Sequence, residues 1–348
     1  MPKPNPAPAS RPGSGLGARL LALRADAQAA RAAVQGAFLA LCAWIGVEFA
    51  LFMRWGLSGG AAAQVRHPAG AEGFLPIAAL LSLRHWLATG RIHGVHPAGL
   101  SIFVAVLAIG LLLKKAFCSW MCPVGTLGEG LWQLGRRLFG ANLDLPRWAD
   151  YPLRAVKYLI LGFFVLAAWN MDGPMLEGFL DSPYNAAADV RMYLFFARLS
   201  GLALGVILVL ALLSLVVRNV WCRYLCPYGA LLGLLSLASP LRITRAKATC
   251  IDCGACTRAC PSRIQVHRAG RVGGDECTAC YRCVSACPVP DTLEMRAPVG
   301  PAVPGWVFGL LAAGLFAAVT GLAMLSGHWR TSVSPADYLR LIPDAAGR

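Results

Sequence analysis

The sequence predicts a mostly α-helical integral membrane protein of about five spans that carries a small inserted α+β domain. Three observations support this fold class. Of the 348 residues, 57% are hydrophobic and only 14% are charged, against roughly 25% charged in an average soluble domain. Five apolar stretches approach the ~20 residues that a bilayer core requires. Twelve of the 13 cysteines fall in short motifs, and eight of these lie in one basic segment.

These features divide the chain into four parts. A basic tail (1–32) precedes a membrane domain of four spans (33–244), which is followed by the inserted domain (245–298) and by a last transmembrane helix with a short outward tail (299–348). The predicted spans are approximately 34–53, 98–115, 154–171, 199–217 and 303–325. A shorter apolar stretch, 74–83, is interrupted by Pro76 and is expected to be re-entrant or interfacial.

The distribution of Lys and Arg predicts the orientation. The tail and the segments 114–157 and 218–302 hold 23 of the 32 basic residues, and the opposite side holds 9. Since positive charge is retained in the cytoplasm, the sequence predicts a multi-pass protein of a bacterial inner membrane whose inserted domain is cytoplasmic. The net charge is +15, and most of the basic residues lie in segments that are predicted to share one side of the membrane. Membrane lipid is therefore an expected partner. Nucleic acid is not, because a nucleic-acid binder would cluster its positive charge on a soluble domain.

Eight cysteines form two runs of C-x2-C-x2-C-x3-C-P, the spacing of a bacterial two-cluster ferredoxin. In that arrangement the fourth cysteine of each run ligates the other cluster. The first [4Fe–4S] cluster is therefore assigned Cys250, Cys253, Cys256 and Cys287, and the second is assigned Cys277, Cys280, Cys283 and Cys260. Zinc sites more often use two separated C-x2-C pairs, which makes iron–sulfur the favoured interpretation.

Four further cysteines form two C-x3-C-P turns, Cys118 with Cys122 and Cys222 with Cys226. Each turn follows a span, and the surrounding sequences repeat one another. If Pro123 and Pro227 begin new helices, Cys122 and Cys226 lie at helix N-termini, where the pKa of a thiol is lowered. Three interpretations stay open: a further metal or iron–sulfur centre, redox-active thiols, or turns that merely pack against the insert.

The aromatic residues around these turns are expected to form a belt at the membrane interface. They are Phe117, Trp120, Trp132, Trp221, Tyr224 and Tyr228. On the outward side, His85, His93 and His96 could take protons from a quinol, although a solvated loop explains them too. The chain has no C-x2-C-H, G-x-G-x-x-G or Walker A motif, and so gives no sign of c-type haem, nicotinamide or ATP.

The order of the motifs resembles that of the NapH/NosR-type membrane polyferredoxins. The resemblance is carried by FCSWMCPVGTL from Phe117, by WCRYLCPYGAL from Trp221 and by the two four-cysteine runs, and it extends over nearly everything after residue 35. It implies electron transfer from the membrane or quinol pool toward a reductase or a metalloenzyme maturation system. The chain has a fifth span that NapH-like proteins lack, and no room for the outward flavin domain of NosR-like proteins.

The sequence thus predicts an electron-transfer component rather than a stand-alone enzyme. It passes single electrons through two [4Fe–4S] clusters between quinone and a redox partner protein. A further metal or iron–sulfur centre held by the C-x3-C-P cysteines is one of the three interpretations that stay open for those turns. Two alternatives remain: a membrane-bound redox or iron sensor, and a factor that assembles copper or another metal, because soft thiolates favour Cu(I).

Overall fold

The computed structural model describes residues 26–347, most of which are helical. The helices are α1 (Ala27–Leu57), α2 (Pro76–Thr89), α3 (Pro97–Leu112), α4 (Ala116–Trp120), α5 (Pro123–Phe139), α6 (Arg147–Asn170), α7 (Gly173–Leu180), α8 (Pro183–Ala186), α9 (Ala188–Ala197), α10 (Gly201–Val216), α11 (Pro227–Ser236), α12 (Ala255–Ala259), α13 (Arg282–Ser285), α14 (Gly305–Leu325) and α15 (Pro335–Ala345). The strands are β1 (Arg242–Arg245) and β2 (Leu293–Arg296). Single 3₁₀ or π-helical turns lie at Ala69–Phe74, Trp221–Leu225 and Val266–Arg268.

The five predicted spans are all helical, but they differ in length. Helices α1, α6 and α14 are long and apolar enough to cross a membrane. Helices α9 and α10 make a fourth candidate if they form one broken span, since they are bent by 80° where they meet. Helix α3 has 16 residues and is therefore roughly 24 Å long, shorter than the ~30 Å core of a bilayer. Length and composition thus support three to four spans.

Helix α3 lies at the centre of the membrane domain, which accounts for its length. It packs against α2, α11 and α14, and ten of its 16 residues are buried. Small residues permit the close contacts: a Cβ on Gly110 would lie 2.9 Å from the Leu232 side chain, and one on Gly99 would lie 3.2 Å from the carbonyl oxygen of Glu72. A helix enclosed by other helices does not have to match the bilayer thickness.

The internal repeat of the sequence is also a repeat of structure. After α3 the chain makes a tight turn, forms α4 and begins α5 at Pro123. After α10 it makes a matching tight turn, forms the π-helical turn and begins α11 at Pro227. Proline suits the first position of a helix because the N–H that it lacks would have no partner there. The two C-x3-C-P motifs therefore occupy equivalent positions.

The inserted domain has the expected α+β fold. Strands β1 and β2 pair antiparallel, with Ile243 opposite Met295, and both of these side chains are buried. The pairing closes the two ends of the insert together, and β1 begins three residues before the predicted boundary at residue 245.

Three boundary predictions need correction. Residues 27–32, predicted as tail, are the first turns of α1, while residues 1–25 lie outside the described residues. Pro76 does not interrupt a helix but starts α2. The predicted outward tail contains α15, which begins at a capping box between Ser334 and Asp337 and packs on α1 through Tyr338 and Ile342. The Ser-Pro-x-Asp pattern was the available sequence signal for this helix.

Candidate functional site

The eight cysteines of the insert surround two separate cavities. The first cysteine set, Cys250, Cys253, Cys256 and Cys287, lines about 330 Å³ of space between atoms. The second cysteine set, Cys260, Cys277, Cys280 and Cys283, lines about 360 Å³. The fourth cysteine of each run thus lies with the first three of the other run, which is the grouping that the sequence predicts.

The two C-x2-C-x2-C loops share one unusual backbone conformation. Two residues per loop have positive φ: Asp252 and Gly254 at 49° and 68°, and Ala279 and Tyr281 at 51° and 58°. A non-glycine residue costs about 1–2 kcal/mol there, so three of the four positions are strained. Alternation of right- and left-handed residues turns successive backbone N–H groups toward one concave side, an arrangement found at iron–sulfur sites.

The chemistry of the thiols fits an iron–sulfur cluster. Burial raises the pKa of Cys260 to about 12 and also raises the pKa of Cys277 and Cys283, so their thiolates need a compensating cation. Within residues 26–347, no three His, Cys, Asp or Glu side chains come close enough to hold one metal ion. Thiols spread around a cavity suit a multi-iron core rather than a single zinc ion.

In the C-x3-C-P turns, Cys122 and Cys226 cap the N-termini of α5 and α11, as predicted. The Gly229 N–H donates to the Cys226 Sγ at 3.3 Å. The predicted lowering of the thiol pKa is wrong for Cys122: burial outweighs the N–H groups of the helix end and raises the pKa to about 11. A glycine is required at the third helical position of α5, because a Cβ on Gly125 would lie 2.2 Å from the Cys118 carbonyl oxygen.

The two turns meet at a partly open cavity, the junction cavity, which has about 560 Å³ of space between atoms and is lined by residues of both the membrane domain and the insert. One cysteine from each turn, Cys118 and Cys222, lines this cavity, together with Cys280 of the second cysteine set. The structure thus brings three of the four cysteine motifs to one place. Burial raises the pKa of Cys118 to about 12.

Hydrogen bonds tie the first turn directly to the loop of the second cysteine set. The Ser119 hydroxyl donates to the Thr278 carbonyl at 2.6 Å, and the Trp120 indole N–H donates to the Ala279 carbonyl at 3.0 Å. Both carbonyls lie between Cys277 and Cys280. The predicted aromatic belt is wrong for Trp120, Trp132 and Tyr224, which are all buried. Trp221 is 40% exposed and is compatible with a belt.

Buried charged side chains surround the junction cavity, and sequence reasoning missed them. The Glu129 carboxylate on α5 accepts hydrogen bonds from, and forms ion pairs with, Arg31 of α1 and Arg282 of the insert. Lys157 pairs with Glu276, and Arg223 pairs with Asp150. Burial raises the pKa of Glu129, but the two guanidinium groups outweigh burial, so the pKa is lower than that of an ordinary carboxyl group. The only sequence signal was an isolated Glu129 in a basic segment.

The three histidines that were predicted to lie on the outward side do not share the same partners. The rings of His85 and His93 are 5.4 Å apart, and each lies beside an exposed carboxylate, Glu177 at 3.6 Å and Asp181 at 3.1 Å. His96 is buried and has other partners. Its Nε2 is 2.7 Å from the Asn185 carbonyl oxygen and its Nδ1 is 3.8 Å from Glu72. The first pair is the better candidate for exchange with an outside ligand.

Comparison with known proteins agrees with the cysteine motifs. A family profile described as a 4Fe-4S binding domain matches residues 95–142 and 199–245, which contain the two C-x3-C-P turns. A profile described as a 4Fe-4S dicluster domain matches residues 242–288. No solved structure gives a significant match.

Several curated proteins resemble the chain. YccM of Escherichia coli (strain K12), named for an inferred role in electron transport, is 45% identical over 90% of both chains. The ferredoxin-type protein NapH of the same strain is 27% identical over 58% of this chain and 68% of its own. The regulatory protein NosR of Pseudomonas aeruginosa is 32% identical, over 51% of this chain and 24% of its own length.

Proposed function

This chain belongs to the membrane polyferredoxin family, and on that premise we propose that it carries single electrons between quinone in the membrane and a soluble redox partner, a reductase or a metalloenzyme maturation protein. The family is one of electron transport proteins with 4Fe-4S domains. The observation that carries the proposal is the junction cavity, where the membrane turns and the insert present cysteines to the same space.

The first cysteine set is the proposed ligand set of one [4Fe–4S] cluster, and the second cysteine set that of the other. The two cavities and their repeated loop conformation support this assignment. When bound, such a cluster accepts or donates one electron at a time. The protein supplies the thiolates, the inward N–H groups that tune the potential, and a fixed position for each set.

The two sets have different surroundings, which gives the proposed route an order. The second set contacts the membrane turn through Ser119 and Trp120, and Cys280 lines the junction cavity. In the first set Cys253 is exposed, and the adjacent Ile251 is 65% exposed. The second set is therefore the proposed membrane-side relay, and the first set is where a soluble partner exchanges electrons.

Quinone is the proposed membrane-side donor or acceptor. Oxidation of one quinol releases two electrons and two protons, so a carrier of single electrons needs two transfers and acceptors for both protons. The paired histidines His85 and His93, each beside a carboxylate, support such an acceptor on the outward side. The proposed orientation, with the insert in the cytoplasm of a bacterial inner membrane, is supported by the asymmetry of Lys and Arg.

Anaerobic reduction tests this function. Full-length protein in lipid nanodiscs receives a quinol, and its iron–sulfur absorbance and EPR signal are followed before and after a soluble one-electron acceptor is added. We expect reduction by quinol and re-oxidation by the acceptor. A double Cys253→Ser, Cys283→Ser variant is the control and should give neither. Clusters that dithionite reduces but quinol does not would contradict the quinone role, and the absence of a reducible cluster would contradict the function altogether.

A further inference from the structure

A second, partly open cleft beside the insert is lined mainly by arginines. This arginine cleft has about 1630 Å³ of space between atoms, and it is distinct from the junction cavity. Both the membrane domain and the insert contribute to its walls. Its arginines are Arg136, Arg147, Arg154 and Arg218 of the membrane domain and Arg258 and Arg263 of the insert.

The two aspartates of the cleft leave most of this positive charge unbalanced. Asp150 pairs with Arg154, but it also pairs with Arg223, which does not line the cleft. Asp144 lies 3.4 Å from Arg263. Among residues 26–347, the other four arginines of the cleft have no carboxylate within 4.0 Å. Because like charges that face one concave space repel each other, an anion bound there would stabilise the fold.

Two of these arginines also have donor groups without an acceptor. The Nε atoms of Arg218 and Arg154 are buried and have no hydrogen-bond partner. The guanidinium group of Arg218 lies 5.8 Å from the centre of the Trp132 ring. The ring attracts the charge, but it leaves the Nε donor unsatisfied, which is unfavourable for a buried group. A bound anion would supply the missing acceptor.

The cleft lies where two apolar helices end. Arg147 is the first residue of α6, and Arg218 follows the uncharged helix α10 by two residues. Next to Arg147, Trp148 is 80% exposed, and Tyr151, which lines the cleft, is 63% exposed. Exposed Trp and Tyr at the end of an apolar helix are typical of the headgroup region of a bilayer. The arginines therefore lie at the depth of lipid phosphate groups.

The start of α6 adds to the positive potential of the cleft. Its N-cap residue, Pro146, provides no side-chain acceptor for the first N–H groups of the helix. The N–H groups and the dipole at a helix N-terminus favour a bound anion. Guanidinium groups suit phosphate in particular, because each can donate two parallel hydrogen bonds to it.

We propose that the arginine cleft binds the phosphate headgroup of an anionic phospholipid, with Arg147 and Arg218 as the principal contacts and the arginines of the insert completing the site. The lipid thereby links the insert to the membrane domain. An acidic protein would match the charge equally well, but it would not match the exposed Trp148 and Tyr151 or the exposed apolar side chains of α10. The proposal is independent of the proposed function, because it involves no electron transfer.

Native mass spectrometry of the full-length protein tests the proposal. Detergent-purified protein is titrated with phosphatidylglycerol and with phosphatidylcholine of the same acyl chains, which is zwitterionic. The wild type should bind phosphatidylglycerol at least about tenfold more tightly. Arg147→Gln and Arg218→Gln should each weaken this binding about fivefold, which corresponds to ~1 kcal/mol per basic residue. Arg137→Gln is the matched control, because Arg137 is exposed and does not line the cleft, and it should change nothing.

Thermal unfolding supplies a second measurement and reports the folding of each variant. Phosphatidylglycerol should raise the midpoint of the wild type, since a ligand that binds only the folded state stabilises it, and should raise that of Arg218→Gln less. Arg218→Lys keeps the charge but loses the fork of donors, so it should retain part of the lipid selectivity. If Arg218→Gln fails to fold, Arg147→Gln at an exposed position still tests the site.

Three results with lipid would overturn the inference: equal affinity for the two lipids, unchanged selectivity in both Arg147→Gln and Arg218→Gln, or an equal loss in Arg137→Gln. Displacement of the lipid by millimolar glycerol 3-phosphate would make free phosphate the ligand and overturn it too. Arginine-dependent binding of polyglutamate without lipid selectivity would assign the cleft to an acidic protein instead. Lost selectivity with unchanged reducible iron would contradict this inference alone and leave the proposed function standing.

Discussion

The insert and the membrane turns both present cysteines, but they position them by different means. In the insert, left-handed residues shape each loop, and four cysteines surround each cavity. In the turns, a helix N-terminus fixes Cys122 and Cys226, and two separate parts of the chain must meet before Cys118 and Cys222 share a cavity. The first site is encoded locally, while the second is a product of the whole membrane domain.

This difference explains why spacing identifies one site and not the other. Seven residues of C-x2-C-x2-C already determine a loop that can enclose a cluster, so the sequence motif is specific. A C-x3-C-P turn determines only where a helix begins. Its chemistry depends on the partner turn and on the buried charges around both, which no local pattern reveals.

The largest expected effect is loss of a cluster from the insert, which tests whether the fourth cysteines cross over. Cys287→Ser should remove about four irons and the same EPR signal as Cys253→Ser, because both belong to the first cysteine set. Cys260→Ser should instead resemble Cys280→Ser. Iron analysis and EPR of the four variants check this. If Cys287→Ser lost the same EPR signal as Cys280→Ser, the assignment of Cys287 to the first cysteine set would be contradicted.

A matched pair of glycine variants tests whether the two turns are equally constrained. A Cβ on Gly125 would lie 2.2 Å from the Cys118 carbonyl oxygen, but one on Gly229 would lie 3.4 Å from the Cys222 carbonyl oxygen. Gly125→Ala should therefore displace the first turn and cost a few kcal/mol, about 2–3, while Gly229→Ala should cost under about 1. Thermal unfolding in nanodiscs measures both. Equal effects would show that the two turns are equally constrained.

The contact between the insert and the membrane domain depends on Glu129. Glu129→Ala leaves Arg31 and Arg282 without their carboxylate and should cost about 3 kcal/mol. Glu129→Gln keeps the shape and some hydrogen bonds and should cost less. Amide hydrogen exchange of α5 and of the loop from Cys277 to Cys283 reports the change. If hydrogen exchange increased only in α5, the contact between the insert and the membrane domain would not depend on Glu129.

The same residue predicts a pH dependence. Because its guanidinium partners lower the pKa of Glu129 in the folded protein, its stabilising contribution is fully present above the ordinary glutamate pKa of 4.5. The contribution is lost as the pH falls through the lowered value. Exchange in the loop should thus rise below pH 4.5 in the wild type, and Glu129→Gln should lack this component. An identical acid response in both proteins would exclude Glu129 as the cause.

The smallest expected effect comes from the hydrogen bond between the first turn and the second cysteine set. Trp120→Phe keeps the ring contact with Phe308 but removes the donor to the Ala279 carbonyl, so it should cost about 1 kcal/mol and slow reduction of the second set. Trp221→Phe makes the same chemical change at a more exposed position and is the control. Stopped-flow reduction and thermal unfolding measure the two effects. If the two variants had equal reduction rates and equal stabilities, Trp120 would have no specific role in electron transfer to the second cysteine set.

Much of the fold could be predicted from sequence because apolar stretches and cysteine spacing act locally. The five apolar segments are helical, Pro123 and Pro227 begin helices, and the insert is α+β. The span count was less predictable, since only the packing around α3 shows that a 16-residue helix is enclosed by others.

The polar part of the candidate site was beyond sequence reasoning. Glu129, Glu276 and Lys157 come from distant positions along the chain and acquire meaning only through burial and pairing. The expected lowering of the Cys122 pKa failed for the same reason, because desolvation depends on neighbours that are remote in sequence.

The most direct test of the account is to count iron and acid-labile sulfide per chain in anaerobically purified protein, together with EPR of the dithionite-reduced state. The proposed function predicts two interacting [4Fe–4S] signals, with about eight irons per chain, that are lost on serine substitution of the eight insert cysteines. Two such signals that survive the substitution, or a chain without any reducible cluster, would contradict it.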